Sequence, residues 1–103
     1  MSGQEYIVIV PSLVGSGPWE TVYRSDMRRH RTRDLAISHG WRVEGHDDFL
    51  LGILDGTTLL GLAWQHEDRG TDVYDLQERV DCAEHLGLTP ALFTPDPEPE
   101  DPR

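Results

Sequence analysis

Two apolar runs between residues 49 and 64 constrain the fold more than any other part of the chain. Residues 49–54 (FLLGIL) and 59–64 (LLGLAW) flank the tetrapeptide DGTT at positions 55–58. An Asp-Gly step between two apolar runs is typical of the tight turn of a β-hairpin. The sequence therefore predicts a hairpin whose two strands are apolar on both faces.

Side chains alternate between the faces of paired strands, so the turn position predicts which residues lie together. A tight turn places one set on the core face: Phe49, Leu51, Ile53, Leu60, Leu62 and Trp64. The other face is also apolar, and its large residues are Leu50, Leu54 and Leu59. Because monomers rarely expose large apolar patches, we expect a helix, a second copy in a homodimer or a protein partner to cover these three leucines.

The N-terminal half predicts a buried strand followed by a helix. Residues 6–10 (YIVIV) predict a strand that Pro11 stops and that is buried on both faces at the centre of a sheet. After a Gly/Ser/Pro loop at 12–18, a helix is expected from near Trp19 to His39, with a break near Thr32 and Gly40 as its stop. Residues 41–43 (WRV) alternate briefly and favour a short strand.

The C-terminal half predicts an amphipathic helix. Its apolar positions form a stripe spaced by three and four, namely Val73, Leu76, Val80, Ala83 and Leu86, with Thr71 or Asp72 as N-cap and Gly87 as the stop. The element order β-α-(β)-β-β-α then predicts a small α+β domain over residues 1–90, with a central N-terminal strand, a β-hairpin and two main helices.

Charge is distributed unevenly along the chain, whose formal net charge is −10. Residues 1–42 hold six Arg and four acids, which gives +2, whereas residues 43–103 hold three Arg and fifteen acids, which gives −12. Such an acidic protein repels nucleic acid and anionic membranes at long range. The composition therefore argues against generic polyanion binding.

The sequence also favours a cytoplasmic location without a membrane span. Cys82 is the only cysteine, so no intramolecular disulfide forms and a stapled secreted scaffold is excluded. The N-terminus lacks a basic segment followed by a long apolar one, as a signal peptide needs. No apolar stretch approaches the roughly 20 residues of a membrane span.

The open end of the hairpin is a candidate metal site. His46, Asp47 and Asp48 precede its first strand, and His66, Glu67 and Asp68 follow its second. Antiparallel pairing brings the two triplets together, so His46, Asp48, His66 and Asp68 are candidate ligands of a divalent metal in a hydrolase. A solvated strand end, with Arg42 and Arg69 offsetting the carboxylates, is the competing interpretation.

Residues 24–33 contain five Arg and form a second candidate site. On a helix, Arg24, Arg28 and Arg31 would share one face and could contact the phosphates of a nucleic acid. The net charge and the lack of interleaved aromatic residues oppose this function. A solvated face, or pairing with the acidic C-terminal helix, is the alternative.

The acidic helix carries the leading functional hypothesis. Its predicted outer surface carries Asp72, Asp75, Glu78, Asp81 and Glu84, relieved only by Arg79 and His85, and the first four are the candidate partner contacts. The domain is short for a deep active-site cleft, and no motif implies a cofactor. We therefore expect a small acidic regulator or inhibitor that docks on a protein partner, such as one that itself binds nucleic acid.

Residues 91–103 predict a disordered acidic tail, because their prolines and carboxylates cannot bury enough surface to order themselves. Deleting residues 94–103 removes four acids and one Arg, so the net charge rises by three. We expect the melting temperature of the truncated chain to match that of the full chain in thermal unfolding followed by circular dichroism. A drop of many degrees would show that the tail packs on the domain.

Overall fold

Six strands and two helices form the part of the chain that the structure describes, residues 3–15, 17–18, 20–44, 48–66 and 69–92 of a computed structural model. In chain order they are β1 (Glu5–Val14), β2 (Glu20–Arg24), α1 (Arg33–Glu44), β3 (Phe49–Asp55), β4 (Thr58–Gln65), β5 (Gly70–Val73), α2 (Leu76–Leu86) and β6 (Thr89–Pro90). The sheet order is β2-β1-β3-β4-β5, and β6 pairs with β4 in parallel. The predicted α+β class is confirmed.

Among the described residues, no helix is long and apolar enough to cross a membrane. The expected acidic tail lies outside the described residues from position 93 onward.

Strand β1 lies inside the sheet, as predicted, but it continues through Pro11 to Val14. Its first half, residues 5–9, pairs with β3, and its second half, residues 10–14, pairs with β2. Pro11 therefore lies where β1 has a partner strand on one side only. A proline without an N–H is tolerated at such an edge, which explains why it does not end the strand.

The β3–β4 hairpin is confirmed, but the predicted grouping of its side chains is wrong. Asp55 pairs with Thr58 and Leu54 with Leu59, after which the register shifts so that Ile53 pairs with Gly61. Leu60 is therefore the extra residue of a β-bulge. A shift of one residue moves every later side chain to the other face, so Leu62 and Trp64 join Leu50 and Leu54.

The predicted helix from Trp19 to His39 is wrong in its first half. Residues 20–24 (ETVYR) form β2, because β-branched and aromatic side chains fit a pleated surface and β1 offers a free edge. Helix α1 begins at Arg33, after Thr32 accepts a hydrogen bond from the N–H of Leu35 at 3.2 Å. Gly40 does not end α1, and residues 41–43 are helical rather than extended.

The C-terminal helix is shorter than predicted. Residues 70–73 pair with β4 as a strand, so neither Thr71 nor Asp72 caps a helix. The N-cap of α2 is Asp75, whose side chain accepts the N–H of Gln77 at 3.0 Å. Gly87 ends α2 in the left-handed conformation with φ 72°, as predicted.

The two helices cover opposite faces of the sheet. On one face, α2 places Cys82 and Ala83 in a core with residues of β1, β3 and β4. On the other, Ala36 of α1 packs with Val8, Phe49 and Leu51. Leu50, Leu54 and Leu59 are 0% exposed within the α2-side core, so the expectation that they form a partner or homodimer surface is not met in this structure. A helix of the same chain covers them.

Close packing of α1 on β3 gives a test of the fold at Gly40. A Cβ atom at Gly40 would overlap the ring of Phe49, which is fully buried and packs edge-to-face against Trp41. We expect Gly40→Ala to lower the free energy of unfolding by about 1–3 kcal/mol, because overpacking outweighs the helix propensity of alanine. Urea unfolding followed by circular dichroism measures the change.

Gly61→Ala is the matched control on β4. A Cβ atom there would have Ile53 Cδ1 as its nearest neighbour at 3.8 Å, an ordinary contact. This variant should unfold within about 0.5 kcal/mol of the wild type. Equal stability of the two variants would contradict the packing of Gly40 against Phe49.

Candidate functional site: an acidic groove between β2 and α2

A groove between β2 and α2 is lined by a group of carboxylates. Its lining comprises Glu20, Thr21 and Tyr23 from β2, and Asp75, Gln77, Glu78, Asp81, Glu84 and His85 from the N-cap and body of α2. Five of these residues are acidic, and none is Arg. We call this feature the acidic groove.

Tyr23 forms the buried floor of the acidic groove. Its hydroxyl donates to Glu78 Oε2 at 3.2 Å, and its ring meets that of His85 edge-to-face at 5.6 Å between centroids. Burial and the negative charge of Glu78 raise the pKa of Tyr23 above its usual value. The phenol therefore stays protonated and donates this hydrogen bond throughout the physiological pH range.

Arg79 does not relieve the charge of the acidic groove, contrary to its predicted place on the outer surface. It is 1% exposed, and its Nη1 donates to the carbonyl of Ala91 at 2.8 Å. The buried face of α2 is formed by Arg79, Cys82 and Ala83, whereas the predicted stripe included Leu76, which is exposed. The apolar spacing of the sequence does not predict that an arginine is buried, although the long aliphatic stem of this side chain allows it.

Three of the four predicted acidic partner residues come together in the acidic groove, namely Asp75, Glu78 and Asp81. Asp72 does not, because it lies on β5, where it accepts a hydrogen bond from the hydroxyl of Tyr74 at 2.9 Å. Glu20 was missed by the sequence analysis, since its position was assigned to a helix. Glu84 lies on the predicted acidic surface but outside the predicted partner set.

An apolar cavity adjoins the acidic groove. Pro11, Leu13 and Trp64 line it together with Thr21, Tyr23 and Glu78, which also line the groove. Leu13 is 66% exposed, so its side chain is accessible to an apolar group of a partner. This cavity was not predictable from the sequence, because residues 12–18 were expected to form a loop rather than to continue β1.

The open end of the hairpin brings one predicted ligand pair together. His66 Nδ1 lies 2.9 Å from Asp48 Oδ2, and both side chains are partly exposed. His46, Asp47, Glu67 and Asp68 lie outside the described residues. Within the described ranges, no group of three or more His, Cys, Asp or Glu side chains is placed to hold a metal ion.

The Arg-rich segment is not a helix, so Arg24, Arg28 and Arg31 do not share a helical face. Arg24 ends β2, and the other two lie in the connection from β2 to α1. Arg29 of the same connection donates to Glu5 Oε1 at 3.1 Å and to the carbonyl of Gly56 at 2.8 Å. This arginine therefore ties the connection to the sheet rather than to α2.

A histidine of this connection, His30, lies beside a histidine of α1, His39. His39 of α1 is mostly buried, with its Nε2 2.7 Å from Asp26 Oδ2, and the rings of His30 and His39 are 4.9 Å apart. Burial, the neighbouring His39 and the charge of Arg28 lower the pKa of His30, more than Asp26 raises it. Burial opposes ionisation of Asp26, but hydrogen bonds from the Arg28 N–H and His39 hold its pKa below the usual value.

Comparisons with models of protein families, with curated proteins and with solved structures found no match to this chain.

The lowered pKa of His30 predicts a pH dependence of stability. A histidine with a depressed pKa in the fold takes up its proton more readily when unfolded, so it favours folding above about pH 6.5 and opposes it below. We expect the free energy of unfolding to fall between about pH 7.5 and 5.5. His30→Gln should make this fall shallower in urea unfolding experiments across the range.

His85→Gln is the control, because His85 is exposed on α2 and lies away from the His30–His39 pair. It should keep the wild-type pH dependence more closely than His30→Gln does. An unchanged slope in His30→Gln would rule out the proposed coupling of this ring to folding.

Proposed function

We propose that this protein is a regulator or inhibitor that docks on a basic region of a protein partner through the acidic groove. The observation that carries the proposal is the convergence of Glu20 of β2 with the carboxylates of α2 around Tyr23. No arginine among the described residues lines the groove, so the negative potential of its carboxylates is available to an incoming cation. Cys82 is a buried free thiol, which suits action in a reducing cytoplasm.

Charge and apolar surface have separate roles in this proposal. Carboxylates on a surface steer a basic partner and raise its association rate, and salt screens this effect. The adjoining cavity at Leu13 and Trp64 offers apolar contacts that slow dissociation. A partner segment with basic residues beside an apolar side chain would use both.

The two other candidate functions have less support from the geometry. The hairpin end contributes one described imidazole and one carboxylate, at 2.9 Å, to a metal site. The arginines that could contact nucleic acid lie on a strand end and a connection, and Arg29 is engaged by Glu5 and Gly56. The acidic groove is the site whose residues converge most fully.

The test neutralises three carboxylates of the acidic groove in one variant, Glu20→Gln with Asp81→Asn and Glu84→Gln. Asp75 and Glu78 are kept, because they cap α2 and bond to Tyr23. The probe is a fluorescein-labelled hexa-arginine peptide, followed by anisotropy at about 0.05 M and about 0.15 M NaCl. We expect the wild type to bind, with affinity falling as salt rises, and the variant to bind at least about tenfold more weakly, or about 1.4 kcal/mol.

The control variant carries the same charge change outside the groove, Asp34→Asn with Asp55→Asn and Asp72→Asn. These positions lie on α1, at the end of β3 and on β5. At about 0.15 M NaCl, screening over about 8 Å should leave its affinity near that of the wild type. Equal losses in the two variants would show that net charge, rather than the acidic groove, attracts the peptide, and the proposal would fail.

A further inference from the structure

A second cavity, of about 270 Å³, opens on the face of the sheet opposite the acidic groove. It lies between β1, the end of β2 and the last turn of α1. Its lining consists of Val8, Val10, Arg24, Ser25, Asp26 and Val43. Val10 pairs with Arg24 across the β1–β2 ladder, so both side chains lie on the α1 side, whereas neighbouring Tyr23 lies on the α2 side.

The lining of this cavity combines one cation, one anion and an apolar wall. Val8, Val10 and Val43 supply aliphatic surface, and Ser25 supplies a hydroxyl. Arg24 donates to Ser12 Oγ at 3.3 Å, and no carboxylate among the described residues lies within ion-pair distance of it. Its guanidinium therefore retains donors for a carboxylate, which arginine binds in a bidentate manner.

Asp26 is held in position while keeping acceptor capacity. One of its oxygens accepts the N–H of Arg28 at 3.0 Å, and the other meets His39 Nε2 at 2.7 Å. A carboxylate has about four lone-pair sites, so two partners leave room for a further donor. The side chain is 48% exposed, which leaves it accessible from the cavity.

We propose that this cavity binds a free α-amino acid with a branched aliphatic side chain. Arg24 would take the carboxylate, Asp26 the ammonium group, and the three valines the hydrocarbon. A simple anion would meet the charge of Asp26 and a simple cation that of Arg24, so a zwitterion fits best. The volume of the cavity lies just below the roughly 300–1,000 Å³ of pockets that bind drug-sized ligands, so its size suits a smaller molecule such as an amino acid.

This site is independent of the proposed partner-binding function, because none of the described residues lines both the cavity and the acidic groove. Occupation of one can therefore be measured while the other is empty.

The experiment titrates the full ¹⁵N-labelled chain with leucine and records two-dimensional NMR spectra. We expect saturable shifts at the amides of Ser25, Asp26 and Val43, with a dissociation constant below about 10 mM. Two analogues each remove one charge, 4-methylpentanoate without the ammonium group and 3-methylbutylamine without the carboxylate. Both should bind at least about tenfold more weakly than leucine, and so should glycine, which lacks the hydrocarbon.

Two variants locate the site. Arg24→Gln and Val43→Ser change exposed side chains of the lining, and each should weaken leucine binding by at least about tenfold. Arg28→Gln and Leu35→Ser are the matched controls, exposed and outside the lining, and should bind leucine as the wild type does.

Three results would overturn the proposal. The first is the absence of saturable shifts with leucine up to about 10 mM. The second is equal binding of an analogue that lacks one charge, which would indicate a plain anion or cation site. The third is unchanged leucine affinity in Arg24→Gln.

Discussion

The β-bulge at Leu60 decides which side chains of β4 face each helix, and the rest of the structure depends on it. Because Ile53 pairs with Gly61 after the bulge, Leu59 and Leu62 both lie in the core beneath α2. Without the extra residue, Leu62 would face the α1 side. Helix α2 then would lose part of its apolar support, and the acidic groove would lose the wall that α2 provides.

The acidic groove depends on which side of α2 faces the sheet. Cys82 and Ala83 are small, so α2 approaches the sheet closely and Arg79 extends into the interior toward the carbonyl of Ala91. This orientation turns Glu78 and Asp81 toward β2, where Tyr23 meets them. A single orientation of α2 therefore both buries its one arginine and places its acidic side chains on the outside.

The sequence predicted the elements whose signals are local. Three such signals, each within a few residues, are confirmed. They are the hairpin turn at Asp-Gly, the strand over residues 6–10 and the helix end at Gly87. The bulge depends on which register buries more side chains, and β2 exists because β1 offers an edge to Val22 and Tyr23. Of the site, three acids on one helix were predictable, but the part contributed by β2 was not, because it depends on tertiary pairing.

Strand β2 belongs to both candidate sites through alternation of its side chains. Tyr23 contributes to the acidic groove on one face, and the next residue, Arg24, contributes to the amino-acid cavity on the other. Within the described part of the chain, β2 is an edge strand whose only ladder partner is β1, and its packing support comes from α2. Edge strands open more readily than central ones, so the local stability of β2 governs how well both sites are formed.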